Sequence, residues 1–250
     1  MASFLARHIA LRLPPGGGVF FARLLLGLLI GLGCSLTPFT LRADELKAIE
    51  TPPTEPGFAP PAAGSYELQR IMTAAEGRVL DINGDIRKLS EFTGGKITLL
   101  SFIYTTCADP NGCPYAYLVF HNLQNRLARD PKLHGKVRLV SLSFDPQRDT
   151  PRMLRLYAGD NAQPGRPVEW DFLTTAGLRD LLPILDDFGQ DVFLELDPET
   201  KAPRGTYSHV LKIFLIDAKH VVREVYTTAY MQADMVYNDI LTLLMEEGLQ

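Results

Sequence analysis

The chain has 250 residues, 46% of them hydrophobic and 22% charged, with a formal net charge of −4. That balance excludes a disordered polymer and supplies enough apolar material for one substantial core. No basic stripe marks a nucleic-acid surface.

Residues 1–43 carry Arg7, Arg12, Arg23 and Arg42 and no acidic residue, leaving 21 basic against 29 acidic side chains for the rest. The apolar run Leu24 to Gly33 follows three of these arginines, and Leu41-Arg42-Ala43 precedes Asp44-Glu45, the layout of an export signal. Cleavage near Ala43, retention as an N-terminal membrane tether and lipidation of Cys34 are the competing fates. The 18 uncharged residues 24–41 include Pro38 and are short for a spanning helix, which favours cleavage and a periplasmic protein. Gly31 stands where a lipoprotein signal wants a leucine-like residue, so Cys34 reads as a small member of the apolar segment. Pro52, Pro53, Pro56, Pro60 and Pro61 then make a linker. The expected organisation is an export segment over 1–43, a linker over 44–65 and one domain over 66–250.

The domain opens with a hairpin, Val79 to Ile82 and Asp85 to Leu89 around the Asn83-Gly84 turn. Ile97 to Tyr104 is apolar and β-branched, a central strand. It leads into Cys107-Ala-Asp-Pro-Asn-Gly-Cys113-Pro114, where Pro114 predicts the first residue of a helix with Cys113 at its N-cap. Ala116, Phe120, Leu123 and Leu127 give that helix one apolar face. A strand over Val137 to Phe144, a helix from Pro151 to Tyr157, a polar loop over Gly159 to Pro167, a short strand near Trp170 and a helix over Ala176 to Phe188 follow. Strands Val210 to Ile216 and Val221 to Val225 and a helix over Ala233 to Glu246 close the chain. Alternating strands and helices predict an α/β fold with a layered sheet.

A thiol at a helix start faces unpaired N–H groups and the positive end of the helix dipole, which favour thiolate, the nucleophile of disulfide exchange and a soft metal ligand. Asp149-Thr150-Pro151 fits a helix start, with Asp149 or Thr150 as the cap. Met231 and Met235 and Trp170 read as core. His121, His134 and His220 read as solvent-facing, and Arg148 as a surface or ion-pairing residue.

Residues 77–246 resemble the Sco/SenC family of thioredoxin-fold copper proteins. The resemblance rests on Leu100 to Cys107 leading to Cys113-Pro114, on Asp145-Pro-Gln-Arg-Asp-Thr-Pro151, and on Ser208-His209 before Val210-Leu-Lys-Ile-Phe-Leu-Ile-Asp217. It implies a thioredoxin-like three-layer α/β fold with a central mixed sheet. It also implies a site of Cys107, Cys113 and His209 that takes one copper ion, as Cu(I) or Cu(II), for delivery to a copper-accepting protein such as a respiratory oxidase subunit. Two thiolates and an imidazole suit Cu(I); zinc normally asks for a fourth donor. The family spacing is three residues between the cysteines, and here there are five. Asp109, in the enlarged loop, either adds an oxygen donor or caps the turn. Asp145 lies at a strand end where it could reach the site. A second reading stays open: a thiol–disulfide oxidoreductase acting through Cys107 and Cys113 as catalytic residues with a thioredoxin-like reductant. A redox pair has no need of His209, whereas the copper site does.

Overall fold

The computed structural model describes residues 59–249, so the export segment, Cys34 and most of the proline-rich stretch lie outside it. In chain order the elements are β1 (Met72–Thr73), β2 (Arg78–Leu80), β3 (Ile86–Lys88), α1 (Ser90–Thr93), β4 (Ile97–Ile103), α2 (Cys113–Leu127), β5 (Val137–Ser143) and α3 (Pro151–Ala158). They continue with β6 (Glu169–Leu173), α4 (Leu178–Asp187), β7 (Val192–Leu196), β8 (Pro203–His209), β9 (Lys212–Ile216), β10 (Val221–Thr227) and α5 (Ala233–Glu246). Six strands form one mixed sheet in the order β1-β10-β9-β4-β5-β6. Strands β4, β5 and β6 run parallel, β9 pairs antiparallel with β4, and β10 pairs antiparallel with β9.

Every residue of β4 is buried, because the strand is central and covered on both faces, and such a strand reads as a continuous apolar run. Its side chains alternate between two cores. Leu99, with Leu139, Ile213 and Leu215, packs toward Phe120 and Leu123 of α2 and Ile240 and Leu243 of α5. Leu100 and Phe102, with Val140, Leu142 and Phe214, face Phe92 of α1 and Ile184 and Leu185 of α4. The result is the three-layer α/β arrangement expected from the sequence. Asn238 Nδ2 donates to the Pro61 carbonyl at 2.8 Å and the Gly64 N–H to Thr242 Oγ1 at 2.9 Å, so residues just before the domain lie against α5.

Several local expectations change. Val210 to Ile216 is not one strand: β9 begins at Lys212, and His209 ends a separate two-stranded hairpin, β7 with β8, that the sequence reading passed over. Cys113 is the first helical residue of α2, with Gly112 at the N-cap. Thr150 caps α3, its Oγ1 accepting from the Met153 N–H, while Asp149 points inward and is fully buried. His220 is not solvent-facing; its Nδ1 lies 2.9 Å from Thr93 Oγ1 and its side chain is 17% exposed. His121 is partly buried between Asn161 and Asn125. Met231 and Trp170 are core residues, and Met235 packs against them.

Candidate metal centre

The site forms where β4 ends and the chain turns through Tyr104-Thr105-Thr106 to Cys107. Asp149 fixes the beginning of this loop. Its Oδ2 accepts the Thr105 N–H at 2.9 Å and the Ser143 hydroxyl, at the end of β5, at 2.6 Å; its Oδ1 accepts the Thr105 hydroxyl at 2.5 Å. The loop then folds back through Asp109 to Gly112. The Gly112 N–H donates to the Asp109 carbonyl at 3.0 Å, and Asp109 Oδ1 accepts the Asn111 N–H at 3.0 Å. That contact is an Asx-type turn, and it leaves the Asp109 side chain exposed. Backbone and thiol are close at Gly112, where an added Cβ would stand 3.2 Å from Cys107 Sγ.

Both cysteines are free thiols, Cys113 buried and Cys107 half-buried. The Cys107 thiol is pushed down to about 5, chiefly by a hydrogen bond from the Cys113 thiol, with backbone N–H groups and the Tyr104 phenol assisting against the cost of burial. Cys113 moves up, because it keeps the proton it shares with the Cys107 thiolate and is itself buried. The pair therefore carries one proton and one negative charge. Tyr104 is pushed up to about 12 by burial and by bonding to Cys107.

His209 approaches from β8. Its Nε2 lies 3.9 Å from Cys113 Sγ. The ring stands in an aromatic frame, 4.9 Å from the Phe144 centroid and 6.2 Å from that of Tyr104, both of which also pack edge-on with Tyr207. Its Nδ1 is buried without a hydrogen-bond partner. The Cys107 thiol and the imidazole open onto one cleft of about 830 Å³, lined also by Asp109, Glu195 and Tyr207, whereas Cys113 is buried.

Cys107, Cys113 and His209, from a loop, a helix start and a distant hairpin, are thus neighbours. Two thiols and an imidazole fit a soft monovalent copper ion. They are not drawn around one point, however: among the described residues no three His, Cys, Asp or Glu side chains are gathered closely enough to hold an ion as they stand. Asp145 is buried and forms an ion pair with Arg148 Nε, and its N–H donates to Ser143 Oγ at 3.0 Å. The sequence reading missed the aromatic frame and the Thr105–Asp149–Ser143 clasp. Thr105 gave no local signal, but Tyr104, Phe144 and Tyr207 all sit at the ends of extended segments that converge here.

The sequence profile of the SCO1/SenC family matches residues 73–245. The chain belongs to the SCO1/SenC family. The SCO1 protein homolog of Bacillus subtilis strain 168 is 33% identical over 93 residues, which are 37% of this chain and 45% of that protein, so the match spans less than half of the curated relative's length. A crystal structure of Arabidopsis thaliana ScoI with copper bound superposes with a TM-score of 0.56 at 16% identity, covering 70% of this chain and 99% of the other. BsSco, described as a member of the Sco family of cytochrome c oxidase assembly proteins with a disulfide switch, superposes at 0.53 with 22% identity, over 72% and 98% of the two chains. These structures share the thioredoxin-like fold of this SCO1/SenC domain.

Proposed function

We propose that this SCO1/SenC protein is an exported copper carrier in which Cys107, Cys113 and His209 take one copper ion as cargo and pass it to a copper-accepting protein such as a respiratory oxidase subunit. The observation that carries this reading is the imidazole Nε2 3.9 Å from Cys113 Sγ, beside a second thiol already biased toward thiolate. The copper in the Arabidopsis relative and the oxidase assembly named for BsSco support the cargo and the recipient. The half-buried Cys107 supplies charge at the cleft, and Cys113 supplies a second soft donor once its proton leaves. Closing of the donors on the ion comes with binding. Export, cleavage near Ala43 or a membrane tether all concern residues outside those described; no described helix is long and apolar enough to cross a membrane. Asp109 and Asp145 are given supporting roles, in the loop turn and through Arg148, rather than roles as ligands.

A second reading has its own observation: two free thiols share a proton, with Cys107 exposed enough to attack and Cys113 placed to resolve the mixed disulfide. Anaerobic copper titration of the reduced protein separates the two. The carrier binds about one Cu(I) per chain, as one soft-donor site should. His209→Ala weakens Cu(II) binding most, and the reduction potential of the cysteine pair barely moves. Equal copper binding by wild type and His209→Ala, or none by either, leaves thiol exchange as the function.

A further inference from the structure

The hairpin that carries His209 is not part of the main sheet. Strands β7 and β8 pair only with each other in the sheet topology, and most of their side chains are exposed, including Phe193, Leu194 and Leu196. Along β8 the partly buried positions are Gly205, Tyr207 and His209, alternate residues that share one face of the strand. The first two of these meet the same side chain. Arg148 Nη1 donates to the Gly205 carbonyl at 2.5 Å, and its guanidinium lies 5.4 Å from the centroid of the Tyr207 ring. The other end of the guanidinium is anchored through Nε to Asp145, which is 2% exposed and lies two residues beyond the end of β5. Gly205 is adapted to this grip twice over: its φ is +77°, and an added Cβ would stand 3.3 Å from Arg148 Nη1. On the far side of His209, Gln190 Nε2 holds the Val210 carbonyl at 3.1 Å.

We infer that Arg148 is a positioning residue for the copper site, latching the inner face of β8 to the buried Asp145 so that His209 is presented to Cys113. The inference rests on His209 being a copper donor, as proposed above. Arginine suits the task because one rigid fork serves a carboxylate, a carbonyl and an aromatic face together, whereas lysine offers a single ammonium. Arg148 touches neither thiol nor imidazole. Its effect comes through the orientation of β8, and with Nδ1 of His209 unpartnered, the ring has no hydrogen bond of its own to replace that support.

The test uses Arg148→Lys, which keeps a cation for Asp145 but loses the fork, alongside His209→Ala and the double variant. In Arg148→Lys, one Cu(I) per chain still binds through the thiolates. Its apparent Cu(II) dissociation constant rises about tenfold, the change produced when the competent arrangement falls to about a tenth of the population. The thiolate-to-Cu(II) absorption bands move toward those of His209→Ala. The double variant is no weaker than His209→Ala alone, since the latch acts only through the imidazole. Gly205→Ala, which strains the backbone and crowds the guanidinium while leaving Arg148 in place, shifts Cu(II) binding in the same direction. In the metal-free protein, amide exchange at Tyr207 to His209 speeds up in Arg148→Lys while that of β4 and β5 does not change. Wild-type Cu(II) affinity and bands in both Arg148→Lys and Gly205→Ala overturn the inference, as does a further tenfold loss in the double variant. Wild-type binding by His209→Ala is a different failure: it removes the copper reading itself, and the role of Arg148 with it.

Discussion

Asp149 offers the sharpest separation between what local sequence suggests and what the fold does. If it merely capped α3, replacing it with alanine would cost about 1 kcal/mol. In the structure Thr150 provides the cap, and Asp149 is 0% exposed with three donors converging on its carboxylate. Asp149→Ala leaves the Ser143 hydroxyl, which is fully buried, and the Thr105 N–H without acceptors, while the Thr105 hydroxyl can turn toward the loop surface. Two orphaned donors at about 1–3 kcal/mol each put the loss near 4 kcal/mol, a large fraction of the roughly 5–15 kcal/mol that holds a domain folded. Asp149→Asn keeps one oxygen for the Ser143 hydroxyl and the Thr105 N–H, and its amide can donate to the Thr105 hydroxyl, so its loss is about 1 kcal/mol, the difference between charged and neutral hydrogen bonds. Urea unfolding of the reduced, metal-free protein, followed by tryptophan fluorescence of Trp170, measures both. Losses for alanine and asparagine within about 1 kcal/mol of each other would refute the clasp and return Asp149 to the cap.

The remaining expectations concern pH. Cys107 should be alkylated by iodoacetamide with a half-maximal rate near pH 5, and Cys113 should stay unlabelled, because the shared proton and burial fall on Cys113; tandem mass spectrometry locates the label, and a Cys107 rate still climbing at about pH 8.5, the range of a free thiol, contradicts the assignment. Asp239 is buried and accepts from the hydroxyls of Tyr226, at 2.6 Å, and Tyr66; burial raises its carboxyl above the ordinary 3.8 despite those bonds. A group with a raised folded value contributes stability that is fully present below the unfolded value and is lost as pH rises through the folded one. Wild type should therefore lose stability relative to Asp239→Asn on going from about pH 4 to pH 7, and a difference that stays flat or runs the other way rejects the burial argument.

The central sheet was legible because β4 and β5 are covered on both faces and so appear as mostly apolar segments broken only by a few polar residues such as Ser101 and Ser141, and α2 because Pro114 and the spacing of Phe120, Leu123 and Leu127 mark its start and its inner face. The β7–β8 hairpin was not. Its outer face is open to solvent and β7 sets Phe193, Leu194 and Leu196 at exposed positions, so no clear alternation of apolar and polar residues marks it, and β8 begins with Pro203-Arg204-Gly205, residues that favour strands poorly. The inward role of Asp149 was hidden for a different reason. Its partners Thr105 and Ser143 are 44 and 6 residues back, and Asp-Thr-Pro fits a cap equally well from either of its first two positions.

The same distinction explains the site. The thiols announced themselves through the strand–loop–helix transition, a local pattern, while His209 could be found only by family resemblance, since a lone histidine ahead of a strand carries no signal of its own. The two extra residues of the cysteine loop are absorbed locally as well: Asp109 and Asn111 close a turn on the outside, and Gly112 keeps the backbone close to the thiol, where an added Cβ would stand 3.2 Å from Cys107 Sγ. The enlarged spacer therefore projects outward and leaves the two sulfurs adjacent. What the loop length does not fix is the place of His209, which is carried by a hairpin outside the main sheet that Arg148 contacts at Gly205. Under the proposed copper reading, β8 sets the approach of the imidazole, and variation in the spacer alone should alter the thiol chemistry before it alters that approach.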